Sequence, residues 1–342
     1  MLNQVNVYTI ANPQDWQSAI KRMTYYDFYH TYSYNAYFSS QESHPLLFSY
    51  KEEDVEIVMP FLLRRINKTS YYDVTSVYGY AGPLSSTEEV KVGTVNRFLQ
   101  SLNNFFEIKN VVSAFSRLHP SFQNEKLLNG LGTILSLSST VFIDLSENID
   151  FQRSQFRKGA KSDLSRLYKE DFVIFEDENK EFVDEFMEIY NENMTRVGAK
   201  EEYIFDKSYY QMIFESPDIK SRLYFVTKNN MKIAASIFVF TGQMIQYHLS
   251  ATRNEFLKNS PVRLIIDNIR LKNTQSGFKE LHLGGGVGSV EDSLFKFKSG
   301  FSNQRHVFKI WKYIVNEAVY NSLVKQKGEI QNANFFPLYR SI

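Results

Sequence analysis

The segment LYFVTKNNMKIAASIFV, from Leu223 to Val239, contains two apolar runs separated by a polar turn that opens with Lys228. Two apolar runs joined by a short polar turn are typical of a β-hairpin. The segment LLFSYKEEDVEIVMPFL, from Leu46 to Leu62, has the same pattern, and its turn also opens with a lysine. Two hairpins of one kind, far apart in the chain, predict an internal structural repeat.

The elements that follow each hairpin repeat as well. After the first hairpin, the loop DVTSVYGYAGPLSS leads to a predicted helix at residues 88–106 and a strand at residues 111–115. After the second, YHLSATRNEFLKNS leads to a predicted helix at residues 261–274 and a strand at residues 280–283. The order hairpin, loop, helix, strand therefore occurs twice.

The length of the chain predicts two domains. A single hydrophobic core tends to stop growing at roughly 250 to 300 residues, and this chain has 342. The repeat predicts an N-terminal domain of residues 1–145 and a C-terminal domain of residues 146–342, with the last strand candidate, residues 305–316, packed between them. The predicted fold class is α/β, of the α+β type, with two similar domains packed together.

Composition excludes several kinds of function. The chain has 39 basic and 38 acidic residues and so lacks the basic excess of proteins that bind nucleic acid regardless of sequence. It has no cysteine, which excludes disulfides, thiolate metal sites and a cysteine nucleophile. No signal-peptide pattern opens the sequence, and no apolar run approaches the roughly 18 residues of a membrane-spanning helix. We therefore expect a cytoplasmic protein, for which membrane-surface contact through exposed aromatic residues stays open.

Three segments carry a family resemblance: YGYAGP after the first hairpin, NMTRVGAKEEYIF between the two copies, and LHLGGGVGSVEDSLFKFKSGF from Leu281 to Phe301. In this order they resemble the FemAB-like family, which includes the peptidoglycan-bridge aminoacyltransferases and the BioF2-like acyltransferases. The resemblance implies two tandem GNAT-like domains that transfer an acyl or aminoacyl group to an amine. It also implies that Lys298, in FKSGF, stabilises the oxyanion of the tetrahedral intermediate.

That role for Lys298 suits the chemistry. Attack of an amine on an ester or thioester carbonyl places negative charge on one oxygen, and a preplaced cation or N–H donor there is worth several kcal/mol. Lys296, in the same segment, is a further candidate for substrate binding.

The triple glycine does not fit a nucleotide-binding fingerprint. A G-x-G-x-x-G pattern that starts at Gly284 needs a glycine where Ser289 stands. Gly285 and Gly286 therefore either end a strand with unusual backbone geometry or let substrate pass close to the backbone.

A basic segment lies between the two copies. Its pattern predicts a helix over residues 151–170, in which Arg153, Arg157 and Lys161 share one face because they are four residues apart. Such a face is either simply solvated or binds a diphosphate, a tRNA backbone or an anionic membrane. Arg153 and Arg157 are thus candidate substrate-binding residues.

Two further regions supply candidates for substrate binding. Asp73, Tyr78 and Tyr80 are expected to shape an acceptor pocket, because tyrosine offers a sugar an apolar face and a polar tip. The alternative is a tyrosine-rich turn packed in the interior. Arg196 is either an anion contact or a charge that complements the C-terminal end of a helix dipole.

The six histidines show no metal-binding spacing, so no metal site is predicted. His248 lies at the end of a predicted strand beside the central loop of the second copy, where a neutral imidazole would accept the proton of the attacking amine. The alternative is a structural histidine.

The resemblance to BioF2-like enzymes implies acyl-CoA as the donor. Arg253, Lys258 and Ser260 are the predicted contacts, with Ser260 as the N-cap of the next helix and Pro261 at its first position. The loop RNEFLKNSPV has no glycine, unlike the usual pyrophosphate loop, so aminoacyl-tRNA is the alternative donor. Predicted partners are a sugar nucleotide, a lipid-linked sugar or a peptidoglycan precursor as acceptor, together with tRNA and the inner membrane surface. A non-catalytic module that binds such precursors is the alternative from a different class.

Overall fold

The computed structural model describes residues 5–330 and 332–341. The strands, in chain order, are β1 (Val5–Ile10), β2 (Ser43–Glu52), β3 (Val55–Arg65), β4 (Tyr72–Thr75), β5 (Leu84–Ser85), β6 (Val111–Arg117), β7 (Thr133–Asp144), β8 (Val173–Glu176), β9 (Lys220–Lys228), β10 (Met231–Thr241), β11 (Met244–Thr252), β12 (Glu280–Gly284) and β13 (Arg305–Ile314). The α-helices are α1 (Pro13–Lys21), α2 (Tyr32–Tyr37), α3 (Val92–Ile108), α4 (Ile149–Ser154), α5 (Lys158–Leu167), α6 (Val183–Arg196), α7 (Lys207–Glu215), α8 (Val262–Asn273), α9 (Ser293–Lys298) and α10 (Glu317–Lys327). Within these residues, no helix combines the length and apolar character needed to cross a bilayer.

The chain forms two compact units. The first runs to Leu137 and resumes at Val307, and the second runs from Ser138 to His306. The end of the chain belongs to the first unit because β13 pairs antiparallel with β6. The predicted division between residues 145 and 146 stays a prediction. In the two compact units, the segment from Val307 onward belongs to the first unit, whereas the prediction assigns it to the C-terminal domain.

In the first unit, the hairpin β2–β3 continues into β4, which lies antiparallel to β3. The chain then passes through α3 to β6, which lies parallel to β4. Helix α3 covers this sheet with Phe98, Leu102 and Phe106, which are fully buried. These residues are four apart, so they fall on one helix face, and their burial fixes α3 against the strands.

In the second unit, the hairpin β9–β10 continues into β11, antiparallel to β10, and the chain passes through α8 to β12, parallel to β11. The hairpin turn consists of Asn229 and Asn230, with φ of 51° and 63°. Positive φ at both central residues matches the right-handed twist of the paired strands, and asparagine tolerates it. Strand β10 is buried from Ile233 to Thr241, as expected for a strand in the interior of a sheet.

The predicted repeat is confirmed. Both units contain an antiparallel hairpin, a third antiparallel strand, a crossing helix and a final strand parallel to the third. The predicted hairpins, helices and final strands lie within a few residues of their observed bounds, whereas β4 and the end of β11 lie in segments predicted as loops. The alternation of apolar residues, which is a local property, was sufficient to locate them.

The single helix predicted over residues 151–170 is wrong, because the structure has α4 and α5 with a break between them. At the break Phe156 turns into the core and is 3% exposed, and Arg157 has an extended backbone with ψ of 149°. The predicted basic face of Arg153, Arg157 and Lys161 therefore does not form on one helix.

Candidate active site

The parallel strands β11 and β12 separate partway along their length. Among the described residues they pair from Met244 to Gln246 and from Glu280 to His282. Beyond these residues β11 continues beside β10 as far as Thr252, whereas β12 stays beside β7, with Gly284 opposite Val141. The separation leaves an opening in which backbone N–H and C=O groups lack a partner on the facing strand.

His248 lies on β11 just past the last residue paired with β12. The register between β10 and β11 shifts between Ile237 and Phe238, which makes His248 the extra residue of a β-bulge. Its Nε2 lies 2.5 Å from the hydroxyl of Tyr209. Burial lowers the pKa of His248 to about 3, whereas an effective general base has a pKa near the operating pH. The base role of His248 stays a prediction, and this pKa argues against it.

Lys298 is the last residue of α9, which Asp292 caps by accepting the N–H of Phe295 at 2.9 Å. The Nζ of Lys298 donates to the carbonyl oxygen of Gly285, directly after β12, at 2.8 Å. Burial lowers the pKa of Lys298 to about 8, and the negative charge of Asp292 acts in the opposite direction. The amine is therefore mainly protonated at neutral pH, and it is only 9% exposed, so its charge is weakly screened.

The glycines after β12 form a tight loop. Gly284 has φ of 81°, in the region that favours glycine. A Cβ on Gly286 would lie 2.0 Å from the carbonyl oxygen of Val290, so no side chain fits there. Backbone geometry and the bond from Gly285 to Lys298 account for these glycines, and their contact with substrate stays a prediction.

Two other predicted substrate contacts lie at the surface. Lys296 is exposed, and it is about 200° around the helix from Lys298 because each residue turns an α-helix by about 100°. Arg196 is exposed at the end of α6 and donates to the side-chain oxygen of Asn193 at 2.5 Å. Its position suits a charge that complements the helix dipole. Substrate binding by either residue stays a prediction.

Arg253, predicted to hold CoA, already has partners. Its Nε donates to the carbonyl oxygen of Lys232 at 2.8 Å. Its other nitrogens lie 3.6 Å from a Glu185 carboxylate oxygen and 3.8 Å from a Glu192 carboxylate oxygen. Two carboxylates compensate its charge, so it is a weak candidate for a pyrophosphate contact.

The start of α8 also differs from the prediction. Ser260 does not cap the helix: it has a left-handed backbone with φ of 52°, and its hydroxyl donates to the carbonyl oxygen of Leu257. Pro261 takes the cap position, and no side chain caps the helix. The local turn that ends at Ser260 competes with the cap for the hydroxyl. Lys258 is exposed in that turn.

The two candidate arginines of the basic segment lie in different surroundings. Arg153 lies 3.9 Å from a carboxylate oxygen of Asp267, and its guanidinium lies 5.6 Å from the ring centre of Phe156. Arg157 is exposed, and its backbone N–H donates to the carbonyl oxygen of Gly300 at 3.0 Å. Phosphate binding by either stays a prediction.

Asp73 is a buried anchor in the first unit. Its carboxylate accepts hydrogen bonds from Arg64 at 2.7 Å, Arg340 at 2.5 Å and Tyr339 at 3.1 Å. These bonds join β3, β4 and the C-terminal segment. These bonds give Asp73 a structural role, and a substrate would have to displace one of the three donors. Substrate binding by Asp73 stays a prediction.

The two tyrosines of YGYAGP differ in exposure. Tyr80 is half-buried, with ring centres of Tyr29 and Phe308 at 5.7 Å and 5.3 Å from its own, both edge-on. Tyr78 is 44% exposed, and the guanidinium of Arg117 lies 5.5 Å from its ring centre. Tyr78 therefore offers the more open face for a ligand.

Sequence reasoning missed three residues of these sites. Asp292 had a local signal, since an aspartate before a short apolar run is a good N-cap. Arg117 had a weaker one, its place at the carboxyl end of a strand predicted in both copies. Tyr209 had none, because its contact with His248 joins residues that are distant in the sequence.

The sequence matches no protein-family model, and no curated protein is significantly similar to it. A crystal structure of FemX is similar to this structure with a TM-score of 0.69, over 92% of this chain and 99% of its own, at 14% identity. The C-terminal domain of a putative lysylphosphatidylglycerol synthetase from Agrobacterium fabrum has a TM-score of 0.56, over 92% and 95%, at 11% identity. The structure of L-PGS from Bacillus licheniformis has a TM-score of 0.55, over 91% and 95%, at 11% identity.

At sequence identities this low, structural similarity is evidence about the fold alone. The similarity to FemX extends over nearly the whole of both chains, and the strand and helix order repeats in the two units. The chain therefore has the predicted fold, α/β with two tandem GNAT-like units, and shares it with FemX.

Proposed function

We propose that this protein is an N-acyltransferase in which Lys298 stabilises the oxyanion formed when an amine attacks an acyl ester or thioester. The observation that carries the proposal is the buried amine of Lys298, held at 2.8 Å by the carbonyl oxygen of Gly285 beside the opening between β11 and β12. A fixed cation in a site of low dielectric needs little reorganisation when charge develops.

The reaction balances without a redox partner. The amine nitrogen bonds to the acyl carbon, the carbonyl oxygen takes the negative charge, and the intermediate collapses as the C–S or C–O bond to the donor breaks. The amine loses one proton and the leaving thiolate or alkoxide gains one. With a pKa of about 8, Lys298 is protonated in most molecules at pH 7 and supplies a positive charge to the oxyanion.

The opening between β11 and β12 suits the acyl donor. Backbone groups that face it are not paired with the other strand, so an extended ligand would supply the missing hydrogen bonds, as an added strand does. The bulge at His248, in the pairing of β10 with β11, bends β11 within this interval.

The donor in the first instance is acyl-CoA, as the family resemblance implies. The absence of glycine from the loop before α8 and the carboxylates beside Arg253 favour aminoacyl-tRNA as the second candidate. The acceptor class is an amine on a cell-envelope sugar or peptidoglycan precursor. A non-catalytic protein that binds such a precursor is the competing hypothesis, and Lys298 separates it from the enzyme.

The test offers the purified protein a panel of acyl-CoAs and charged tRNAs together with amine-bearing envelope precursors, and follows acceptor mass by mass spectrometry. An acceptor that gains one acyl or aminoacyl mass identifies the donor and the acceptor together. Loss of that product in Lys298→Met, with product retained in Lys272→Ala, supports the mechanism. Lys272 is a matched control because it is an exposed lysine at the end of α8. No product with any donor overturns the enzyme proposal and favours the binding protein.

A further inference from the structure

Arg117, the last residue of β6, has a guanidinium framed by two aromatic rings. The guanidinium carbon lies 5.5 Å from the ring centre of Tyr78 and 5.6 Å from that of Phe115. Within the described part of the chain, no carboxylate pairs with it and no side-chain hydrogen bond holds it. A guanidinium carries five N–H donors, and here they are left for a ligand or for water.

Other arginines of the first unit show how unusual this is. Arg22 pairs with Glu56 at 2.7 Å, Arg64 pairs with Asp73 at 2.7 Å, and Arg97 donates to Glu52 at 2.6 Å. In each pair the carboxylate compensates the positive charge. Among residues 5–330 and 332–341, the charge of Arg117 has no such partner, although the residue is half-buried.

The backbone fixes Arg117 and Tyr78 relative to each other. The N–H of Arg117 donates to the hydroxyl of Ser76 at 3.0 Å, and its carbonyl oxygen accepts the N–H of Ala81 at 3.1 Å. Tyr78 lies on the loop between these two attachment points. Gly79 has φ of 115°, and an added Cβ there would lie 2.1 Å from the Tyr29 ring, so this loop packs closely on the core.

The pair also lies where ligands bind in open α/β sheets. Strands β4 and β6 are parallel, Tyr78 follows the end of β4, and Arg117 ends β6. The carboxyl ends of parallel strands meet at one edge of a sheet, which is the usual place for a ligand. An exposed aromatic face and an uncompensated guanidinium are therefore held together at that edge.

We propose that Arg117 and Tyr78 form a binding site for a sugar that carries an oxyanion, either a phosphate or a carboxylate. Arg117 binds the oxyanion through paired N–H donors, and Tyr78, which is 44% exposed, stacks on the apolar face of the ring. As part of the proposed function this site holds the acceptor, and so the proposal rests on that function for its biological role. The binding itself does not depend on acyl transfer.

The test measures binding by isothermal titration calorimetry at low ionic strength, without any acyl donor. The probes are glucose 1-phosphate, glucuronate, glucose and inorganic phosphate, so that one sugar ring is presented with a phosphate, with a carboxylate and without charge. We expect one or both charged sugars to bind and glucose to bind too weakly to detect. Arg117→Gln should weaken binding by about tenfold or more, because a charge-assisted hydrogen-bond pair is lost. Tyr78→Ala should weaken it about threefold and Tyr78→Phe should retain it.

Three further variants exclude a merely structural effect. Arg117→Lys keeps the charge but not the paired donors, and should bind with intermediate affinity. Arg65→Gln removes an exposed arginine from β3 and should bind like the wild type. Arg117→Gln should unfold in urea with a midpoint only slightly below that of the wild type, since it loses the contacts of the guanidinium with the rings of Tyr78 and Phe115 but no side-chain hydrogen bond.

The outcomes separate this proposal from the transferase. Tighter binding of glucose 1-phosphate identifies a phosphate ligand, tighter binding of glucuronate a carboxylate ligand, and either supports the site. Equal affinities of Arg117→Gln and the wild type, or no binding of either charged sugar, overturn it. Binding of a charged sugar that is insensitive to Tyr78→Ala overturns the sugar half of the site. A protein that transfers acyl groups but fails this test loses the Arg117 site alone, and one that passes it without transfer activity loses Lys298 catalysis alone.

Discussion

The two units use the same parallel strand pair in different ways. In the first, hydrogen bonds continue past the paired residues of β4 and β6: Ser76 N–H donates to Phe115, and Ala81 N–H donates to Arg117. In the second, pairing of β11 with β12 ends at Gln246 and His282. The two copies therefore share a topology, but hydrogen bonds from the loop after β4 close the pair β4–β6, whereas β11 and β12 separate. We call β4–β6 the closed pair and β11–β12 the open pair.

Lys298 and Arg117, one beside each strand pair, differ in burial and in bonding. In the open pair, the Lys298 amine is buried and bonded to the backbone, which suits stabilisation of charge that appears during a reaction. In the closed pair, the guanidinium of Arg117 is half-buried and faces an exposed ring, which suits binding of a charge that is already present. A duplicated fold can therefore divide transfer and recognition between its copies.

The largest effect expected is that of removing the amine from the open pair. Lys298→Ala and Lys298→Met should lower the rate of acyl transfer by about 10²- to 10³-fold, the range seen when one oxyanion donor is removed. Sugar-phosphate binding should stay at the wild-type level. If transfer survives in both variants, the open pair is not the catalytic one.

The second expected effect is a pH dependence of the rate of acyl transfer, which arises from the titration of Lys298 beside the open pair. Protonated Lys298 is the active form, so its titration should lower transfer about tenfold per pH unit above its pKa of about 8. This fall is superimposed on the rise in rate that the acceptor amine gives as it loses its proton. Asp292→Asn keeps a side-chain acceptor for the helix cap but removes the charge that raises the pKa of Lys298. The fall should therefore move to lower pH in pH–rate profiles. Identical profiles of Asp292→Asn and the wild type contradict this assignment, because the acceptor amine titrates alike with both proteins.

The third effect tests the closure of the first unit. Ser76→Ala removes the acceptor of the Arg117 N–H, and an unsatisfied buried group should lower the free energy of unfolding by about 1–2 kcal/mol. Ser18→Ala is the control, because this exposed hydroxyl on α1 bonds only within its own helix turn, and it should change stability by less than about 0.5 kcal/mol. Urea unfolding measures both. Equal stabilities would show that the loop is not held by this bond.

The smallest effect concerns His248, on β11 just past the residues that pair with β12. A general base contributes about 10²- to 10⁴-fold, but a histidine with a pKa of about 3 accepts a proton weakly at neutral pH. His248→Gln should therefore retain transfer within about threefold. Tyr209→Phe, which removes the hydroxyl 2.5 Å from the ring, should behave alike. A loss of 10²-fold in His248→Gln restores the predicted base role.

Elements with local signals were predictable, and sites made by distant contacts were not. The two hairpins and the helices α3 and α8 were found because apolar periodicity is written in consecutive residues. The break between α4 and α5 was missed because Phe156 turns into a core that the segment itself does not reveal. Ser260 was assigned as a cap on residue type alone, and its hydroxyl bonds Leu257 instead.

The sequence by itself determined the repeat, the fold class and the segment that carries Lys298, since these depend on hydrophobic pattern, turn chemistry and a short motif. Tertiary structure alone decided which strand pair opens and which stays closed. It also decided which charges are compensated: Arg253 lies 3.6 Å and 3.8 Å from two carboxylate oxygens, whereas Arg117 forms no ion pair within the described chain. The physical reason is that a hydrogen bond or ion pair depends on the distance between groups that the fold brings together, and spacing along the chain does not encode that distance.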